Sequence, residues 1–218
     1  MNVNWKKVIN KTIFVLLGSI ISGVGVALAV SGGHGGDPLA VMYHGIGDKI
    51  GITLGQANLI GNLVMFVIAY FVDRKHLNVG TIANPVLLAM SIDVLLPILE
   101  KQQPSLIPLQ MIQSIIGVVL IGVGIGIYTA ANVGKAPYDA LVFGLVSRYN
   151  LKIFTIRMLA DAIFLVIGWV LGAYFGVATV VSVVIIGKII EKTNAYCKKL
   201  FLEEALVAEN IVEEAKNN

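Results

Sequence analysis

Two stretches decide the fold: SGVGVALAVSGGHGGDP, Ser22 to Pro38, and IGVGIGIYTAANVGKAP, Ile121 to Pro137. Gly23 and Gly25 of the first return as Gly122 and Gly124 of the second, 99 residues later. The same offset takes Gly35 to Gly134, Pro38 to Pro137, Gly45 to Gly144 and Asn62 to Asp161; after a one-residue slip it takes Thr81 to Thr179. A repeat of this length marks a duplicated structural unit.

Both stretches lie in apolar surroundings. Of the 218 residues, 57% are hydrophobic and 13% charged, with a mean hydropathy of +0.85, whereas soluble domains carry about 25% charged residues. A membrane helix needs about 20 apolar residues to cross roughly 30 Å of hydrocarbon. Runs at 12–36, 53–72, 79–99, 107–131, 154–175 and 177–190 therefore predict six crossings, the last one short. Lys6, Lys7 and Lys11 before the first run, and ALAV near its end, imitate a signal peptide. The run is long enough to span, and its pattern recurs inside the chain, so we read it as a crossing.

Three crossings per half is an odd number, which turns the second half upside down relative to the first. The expected fold is an all-α polytopic membrane protein of two inverted three-helix repeats, residues 1–105 and 106–192, with a cytoplasmic helix over 193–218. With the N-terminus cytoplasmic, twelve basic residues (Lys6, Lys7, Lys11, Arg74, Lys75, Lys135, Arg148, Lys152, Lys188, Lys192, Lys198, Lys199) fall on the inner side, against Lys49 and Lys101 outside. That bias is the positive-inside pattern and predicts a multi-pass plasma-membrane protein with both termini inside. The tail, with Glu203, Glu204, Glu209, Glu213 and Glu214 around Leu202, Leu206 and Ile211, reads as a solvated helix.

Between the first two crossings of each half lies a segment too short to span: Pro38 to Lys49 and Pro137 to Arg148. Twelve residues make roughly 18 Å of helix. Each opens with proline, which suits a first helical turn; Asp37 is placed to cap the first and Asp139 to neutralise the positive end of the second. These segments are re-entrant half-helices or helices lying in the interface.

Ionisable and amide side chains inside the spans carry the functional reading, because a charge at bilayer depth costs at least about 2.5 kcal/mol. Arg157 and Asp161 are four apart and share a helix face. Their repeat mates are Asn58 and Asn62, so two polar pairs converge about the pseudo-two-fold axis. Asp93, in SIDVLL, is a second protonatable candidate. The bland alternative is an ion pair and amide bonds that lock the halves together. Gly168, Gly172 and Gly176, spaced by four, read as a small-residue packing stripe, as do Gly122 and Gly126.

Other chemistries are excluded or weak. No stretch is long enough for a separate soluble core, and the single Cys197 rules out a disulfide framework or a cysteine zinc site. The net charge of +3 is too small for a nucleic-acid binder. GVG and GVGIG lack the strand and acidic partner of a dinucleotide fingerprint. His34 and His44, with Asp37 nearby, do not make a metal set. No nucleophile, base and orienter come together, so neither an enzyme nor a cofactor is expected.

The glycine pattern with its following short segment, NVGTIANPVLLAMSID in the first half, and RMLADAIFLVIGWVLGAYFGVATVVSVVIIGKII in the second resemble the YczE/YyaS/YitT family of bacterial membrane proteins. The resemblance covers about Gly18 to Ile190. Its motif is matched by Arg157, Asp161, Gly172, Gly176, Thr179 and Gly187, while Lys188 stands where a proline is usual and Ala173 and Ala178 replace glycines. It implies a six-helix bacterial inner-membrane protein.

Duplicated inverted halves are a transporter architecture with the site near the midplane. A secondary transporter or permease of a small molecule, with Asp161 and Arg157 at its centre, is the leading expectation. A substrate-capture subunit similar to energy-coupling-factor components, working with ATPase partners, is the alternative, with a membrane scaffold or homo-oligomer behind it.

Overall fold

A computed structural model describes residues 5–217, and over those residues the regular secondary structure is helical, with no strand. In order the helices are α1 (Trp5–Ser31), α2 (Pro38–Ile50), α3 (Leu54–Val72), α4 (Val79–Lys101), α5 (Ile107–Ala130), α6 (Pro137–Tyr149), α7 (Ile153–Val170) and α8 (Val177–Asn217), with one 3-10 turn at Arg74–His76. By length and composition, α1 from Lys11, α3, α4 from Gly80 and α5 are apolar enough to cross a membrane. The outer faces agree with that: Phe71 is 75% exposed and Trp169 64%. Leu63, Met90, Val94 and Val184 also point outward. Apolar side chains in such numbers on an exterior mark a surface that meets something other than water.

The two short helices are cut to length by local chemistry. Asp37, in extended conformation, accepts a hydrogen bond from the Ala40 amide (3.4 Å) ahead of Pro38, and α2 ends on Gly51 at φ 74°. Helix α6 opens with Pro137 and ends on Asn150 at φ 52°. Gly51 and Asn150 are 99 residues apart and both adopt the left-handed conformation that closes a helix, which glycine and asparagine tolerate best. Both helices are buried at their starts and exposed at their C-terminal ends. Tyr43 of α2 is fully buried, and Pro137, Tyr138, Asp139 and Ala140 of α6 are buried too.

Packing recurs under the same shift. Helix α1 packs on α4 as α5 packs on α8, and α2 packs on α7 as α6 packs on α3. The α1–α5 seam runs on glycine: a Cβ added to Gly18 would lie 2.6 Å from the Gly124 carbonyl oxygen, and one on Gly25 2.7 Å from that of Gly117. Adding 99 turns Gly18 into Gly117 and Gly25 into Gly124, so the two contacts exchange. The connections repeat the relation. The Gly80 amide donates to the Val133 carbonyl (3.0 Å), and the Ala178 amide donates to the His34 carbonyl (3.2 Å).

Three boundaries differ from the sequence-based expectation. Helix α1 stops at Ser31, five residues before the end of its apolar run, because Gly33 and Gly35 turn the chain at φ 74° and 85°. Helix α7 stops at Val170, with Gly172 at φ 95° just beyond, so Gly168, Gly172 and Gly176 do not share a helix. Gly168 packs tightly on Val41 and Met42 of α2, Gly176 packs on the His34 carbonyl, and Gly172 has no neighbour within 4 Å. The expected boundary at residue 192 falls inside α8, which continues to Asn217. The side chains Glu203, Glu204, Glu209, Glu213 and Glu214 lie outside the described residues.

Candidate functional site

The N-terminal ends of α2 and α6 open into one cavity of about 100 Å³, walled by α1, α3, α4, α5, α7 and α8. Its apolar wall includes Val26, Leu88, Ile121, Ile125 and Ile186. Set into that wall are three carboxylates and one guanidinium: Asp37, Asp139, Asp161 and Arg157. Asn58, Asn62, Asn84, Tyr128, Tyr138 and Ser22 complete the polar lining. Four of the five residues proposed from the sequence, Asp161, Arg157, Asn62 and Asn58, thus face a common space.

The pairing inside the cavity differs from the expected one. The guanidinium of Arg157 pairs with Asp139 on α6, Nη1 to Oδ1 at 3.3 Å, rather than with Asp161 one turn along its own helix. The second oxygen of Asp139 accepts from the Tyr128 hydroxyl at 3.1 Å. Asp161 instead accepts from the Tyr138 hydroxyl, also at 3.1 Å. Helical spacing brings residues four apart onto one face, but a buried carboxylate arriving from another helix offers Arg157 a fixed partner. Arg157 also lies 5.4 Å from the centre of the Tyr138 ring, and the edge of that ring meets Phe164.

On the α3 side, Asn62 donates both amide hydrogens to Asn58, one to its carbonyl (2.9 Å) and one to its side-chain oxygen (3.1 Å). Asn84 donates to Ser19 (2.9 Å). Ser22 is fully buried and its hydroxyl has no hydrogen-bond partner among the described residues. A buried hydroxyl without a partner is costly, and this one faces the cavity.

Asp93 belongs elsewhere. It accepts from the Thr53 hydroxyl (2.8 Å) and the Gly55 amide (2.9 Å), tying α4 to the start of α3. It lines a separate cleft with His44, Asp48 and Glu100, where His44 pairs with Asp48 at 3.2 Å. Among the described residues no group of three or more His, Cys, Asp or Glu is arranged to hold a metal. Asp37, Asp139, Tyr128, Tyr138, Asn84 and Ser22 were not expected as site residues. The signal in the sequence is the place of Asp37 just before and of Asp139 just after the proline that opens each short helix, which helix capping and the helix dipole also explain. On the connection leading into α6, burial lowers the Lys135 amine below its usual value against the opposing pull of Asp139, and Lys198 adds to the lowering.

The chain belongs to the family of unknown function DUF6198, whose profile matches residues 9–195. It is 30% identical over 183 residues to an uncharacterized protein of Haemophilus influenzae, covering 83% of this chain and 82% of that one. It is 29% identical over 182 residues to the uncharacterized membrane protein YczE of Bacillus subtilis, covering 81% and 82%. A third relative, the uncharacterized protein YyaS of the same organism, is 24% identical over 196 residues, 89% of this chain and 97% of that one. No solved structure matches.

Proposed function

We propose that this DUF6198 member is a secondary transporter of a small molecule, built as two inverted three-helix repeats with its binding site between them. The observation that carries the reading is the cavity: three carboxylates and one guanidinium, met by the N-terminal ends of two short buried helices inside an apolar bundle. Ionisable groups at such depth are expensive and mark substrate or ion pathways. Interrupted helices whose ends meet at the interface of inverted halves are the usual way a transporter builds its site. The exchanged glycine contacts of the α1–α5 seam support the inverted relation, since each is the other's mate across a two-fold axis.

In this reading α1, α3, α4, α5, α7 and the first part of α8 are six crossings of the plasma membrane, with both termini cytoplasmic. Helix α7 has 18 residues, about 27 Å, close to the hydrocarbon thickness. Helices α2 and α6 are re-entrant, and their burial against α7 and α3 supports that over an interfacial position. A capture subunit for an ATPase partner would present small-residue stripes outward; Gly18, Gly25, Gly117, Gly124 and Gly168 instead face other helices.

The test is reconstitution of the purified chain into liposomes carrying a pH-sensitive dye, with an imposed pH gradient and panels of amines, amino acids and carboxylic acids supplied outside. Proton movement that depends on one panel and is lost in Asp161→Asn is the expected result. Flux equal to that of protein-free liposomes for every panel would refute the transporter reading.

A further inference from the structure

We infer that the cavity is a site for a primary ammonium compound, held with its positive group against Asp161; this rests on the transporter reading and names its substrate class. Charge balance is the first argument. With all three carboxylates ionised, Asp37, Asp139 and Asp161 bring three negative charges, and Arg157 returns one. The N-termini of α2 and α6 each contribute roughly half a positive charge, about one together. The sum is about one negative charge left over in an apolar wall, which one monovalent cation neutralises.

The second argument concerns which charges are already spoken for. A helix N-terminus attracts anions, but here both ends are supplied from within: Asp37 caps α2, and Asp139 sits in the first turn of α6 while holding Arg157. The two positive features that would favour an anionic ligand are thereby answered. Among the described residues Asp161 has the neutral Tyr138 hydroxyl as its hydrogen-bond partner.

Hydrogen-bond accounting is the third. Asn62 uses both amide hydrogens on Asn58, Tyr128 and Tyr138 use their hydroxyl hydrogens on Asp139 and Asp161, and Asn84 donates to Ser19. Donors remain on the lining at Asn58, Asn84 and Arg157, and acceptors remain at the side-chain oxygens of Asn62 and Asn84 and the second oxygen of Asp161. The buried Ser22 hydroxyl, without a partner among the described residues, can accept a hydrogen bond on the same wall as well as donate one. An ammonium group has three donors and no acceptor, which the Asp161 oxygen and those neighbouring acceptors can receive. The apolar side chains of the same lining suit a short alkyl group, which distinguishes this ligand from a bare metal cation, and a cavity of about 100 Å³ is well above the roughly 10–15 Å³ that a single water needs.

The experiment is binding to the purified full-length protein in detergent by titration calorimetry, with ethylammonium, propionate, tetramethylammonium and sodium as probes, followed by uptake of labelled ethylammonium into proteoliposomes. Ethylammonium is expected to bind at least tenfold more tightly than the other three, and Asp161→Asn to weaken it at least tenfold while Asp93→Asn does not. The wild-type ranking decides the ligand class even if Asp161→Asn fails to fold. Propionate binding best, sodium or tetramethylammonium binding as well as ethylammonium, or no binding of ethylammonium up to pH 8.5, where a proton competes least, would each overturn the inference. Tight ethylammonium binding without uptake would leave the ammonium site standing and refute transport; uptake of propionate but not ethylammonium would do the reverse.

Discussion

Adding one methyl group to Gly18 or to Gly117 should destabilise the protein by similar amounts. A Cβ on Gly18 would sit 2.6 Å from the Gly124 carbonyl oxygen and 2.6 Å from the Tyr128 amide nitrogen. On Gly117 it would sit 2.6 Å from the Gly25 carbonyl oxygen and against the Ala29 amide. Carbon–oxygen approaches of this kind settle near 3.3 Å, so α1 and α5 must separate by roughly 0.7 Å in either variant. The opposing atoms are backbone, and no rotamer change can relieve them. Overpacking of a tight seam costs about 1–3 kcal/mol, against which the better helix propensity of alanine returns up to ~1 kcal/mol. A net loss of about 1–2 kcal/mol is expected for Gly18→Ala and for Gly117→Ala, the two agreeing within about 0.5 kcal/mol because each is the other's mate. Gly187 has no atom within 4 Å of its added Cβ, so Gly187→Ala should be neutral or stabilising by up to ~1 kcal/mol. Unfolding in mixed micelles by titration with sodium dodecyl sulfate, followed by circular dichroism, measures all three. If Gly18→Ala and Gly117→Ala were as stable as Gly187→Ala, the close α1–α5 seam would be wrong.

Asp139→Asn should lower stability by leaving Arg157 without its partner, and Arg157→Gln in the same chain should recover part of the loss; a coupling of about 0.5–3 kcal/mol in the double-mutant cycle is expected, and additive losses would deny the pair. Asp161→Asn should preserve abundance in the membrane while removing pH-dependent activity, and unchanged activity at normal abundance would remove Asp161 from the site. Asp93→Ala, which removes the acceptor for Thr53 and Gly55, should cost about 1–2 kcal/mol and leave ethylammonium binding intact. Burial raises the pKa of Cys197 above the ordinary thiol value, so at pH 8 it should react with maleimide more slowly than a free cysteine. The unfolded chain loses that proton first, so stability should fall slightly as pH rises through the ordinary thiol pKa toward the raised one.

The 99-residue offset was legible because Gly23, Gly25, Gly35 and Pro38 return at Gly122, Gly124, Gly134 and Pro137; the meeting of Gly18 with Gly124 and of Gly25 with Gly117 across the α1–α5 seam was not, since no spacing along one helix says which neighbour it packs on. That Asn58, Asn62, Arg157 and Asp161 line one cavity agrees with their pairing by the repeat, although two-fold mates are only equidistant from the axis and need not lie near it. Asp139 as the partner of Arg157 was not legible in the sequence. Its repeat mate is Ala40, so the pattern carries no trace of it, and an acidic residue in a first helical turn is already expected from the helix dipole. Only the three-dimensional entry of α6 beside α7 brings it to 3.3 Å of the guanidinium. Asp93 lies apart from the other four, in a separate cleft. Its depth in the apolar run looked costly, but the start of α3 supplies a hydroxyl and an amide that satisfy it locally. The end of α7 depended on Gly172 taking a left-handed conformation, which spacing alone could not separate from a packing stripe.

Inverted halves around a common site are most directly tested at the last residues of the two short helices. Ile50 and Tyr149 are 99 residues apart, and both are exposed, at 62% and 60%. In a Cys197→Ser background, Ile50→Cys should be labelled by a membrane-impermeant maleimide applied to intact spheroplasts, and Tyr149→Cys only after the membrane is opened. Labelling of both positions from the same side would contradict the inverted arrangement and, with it, a site between the halves.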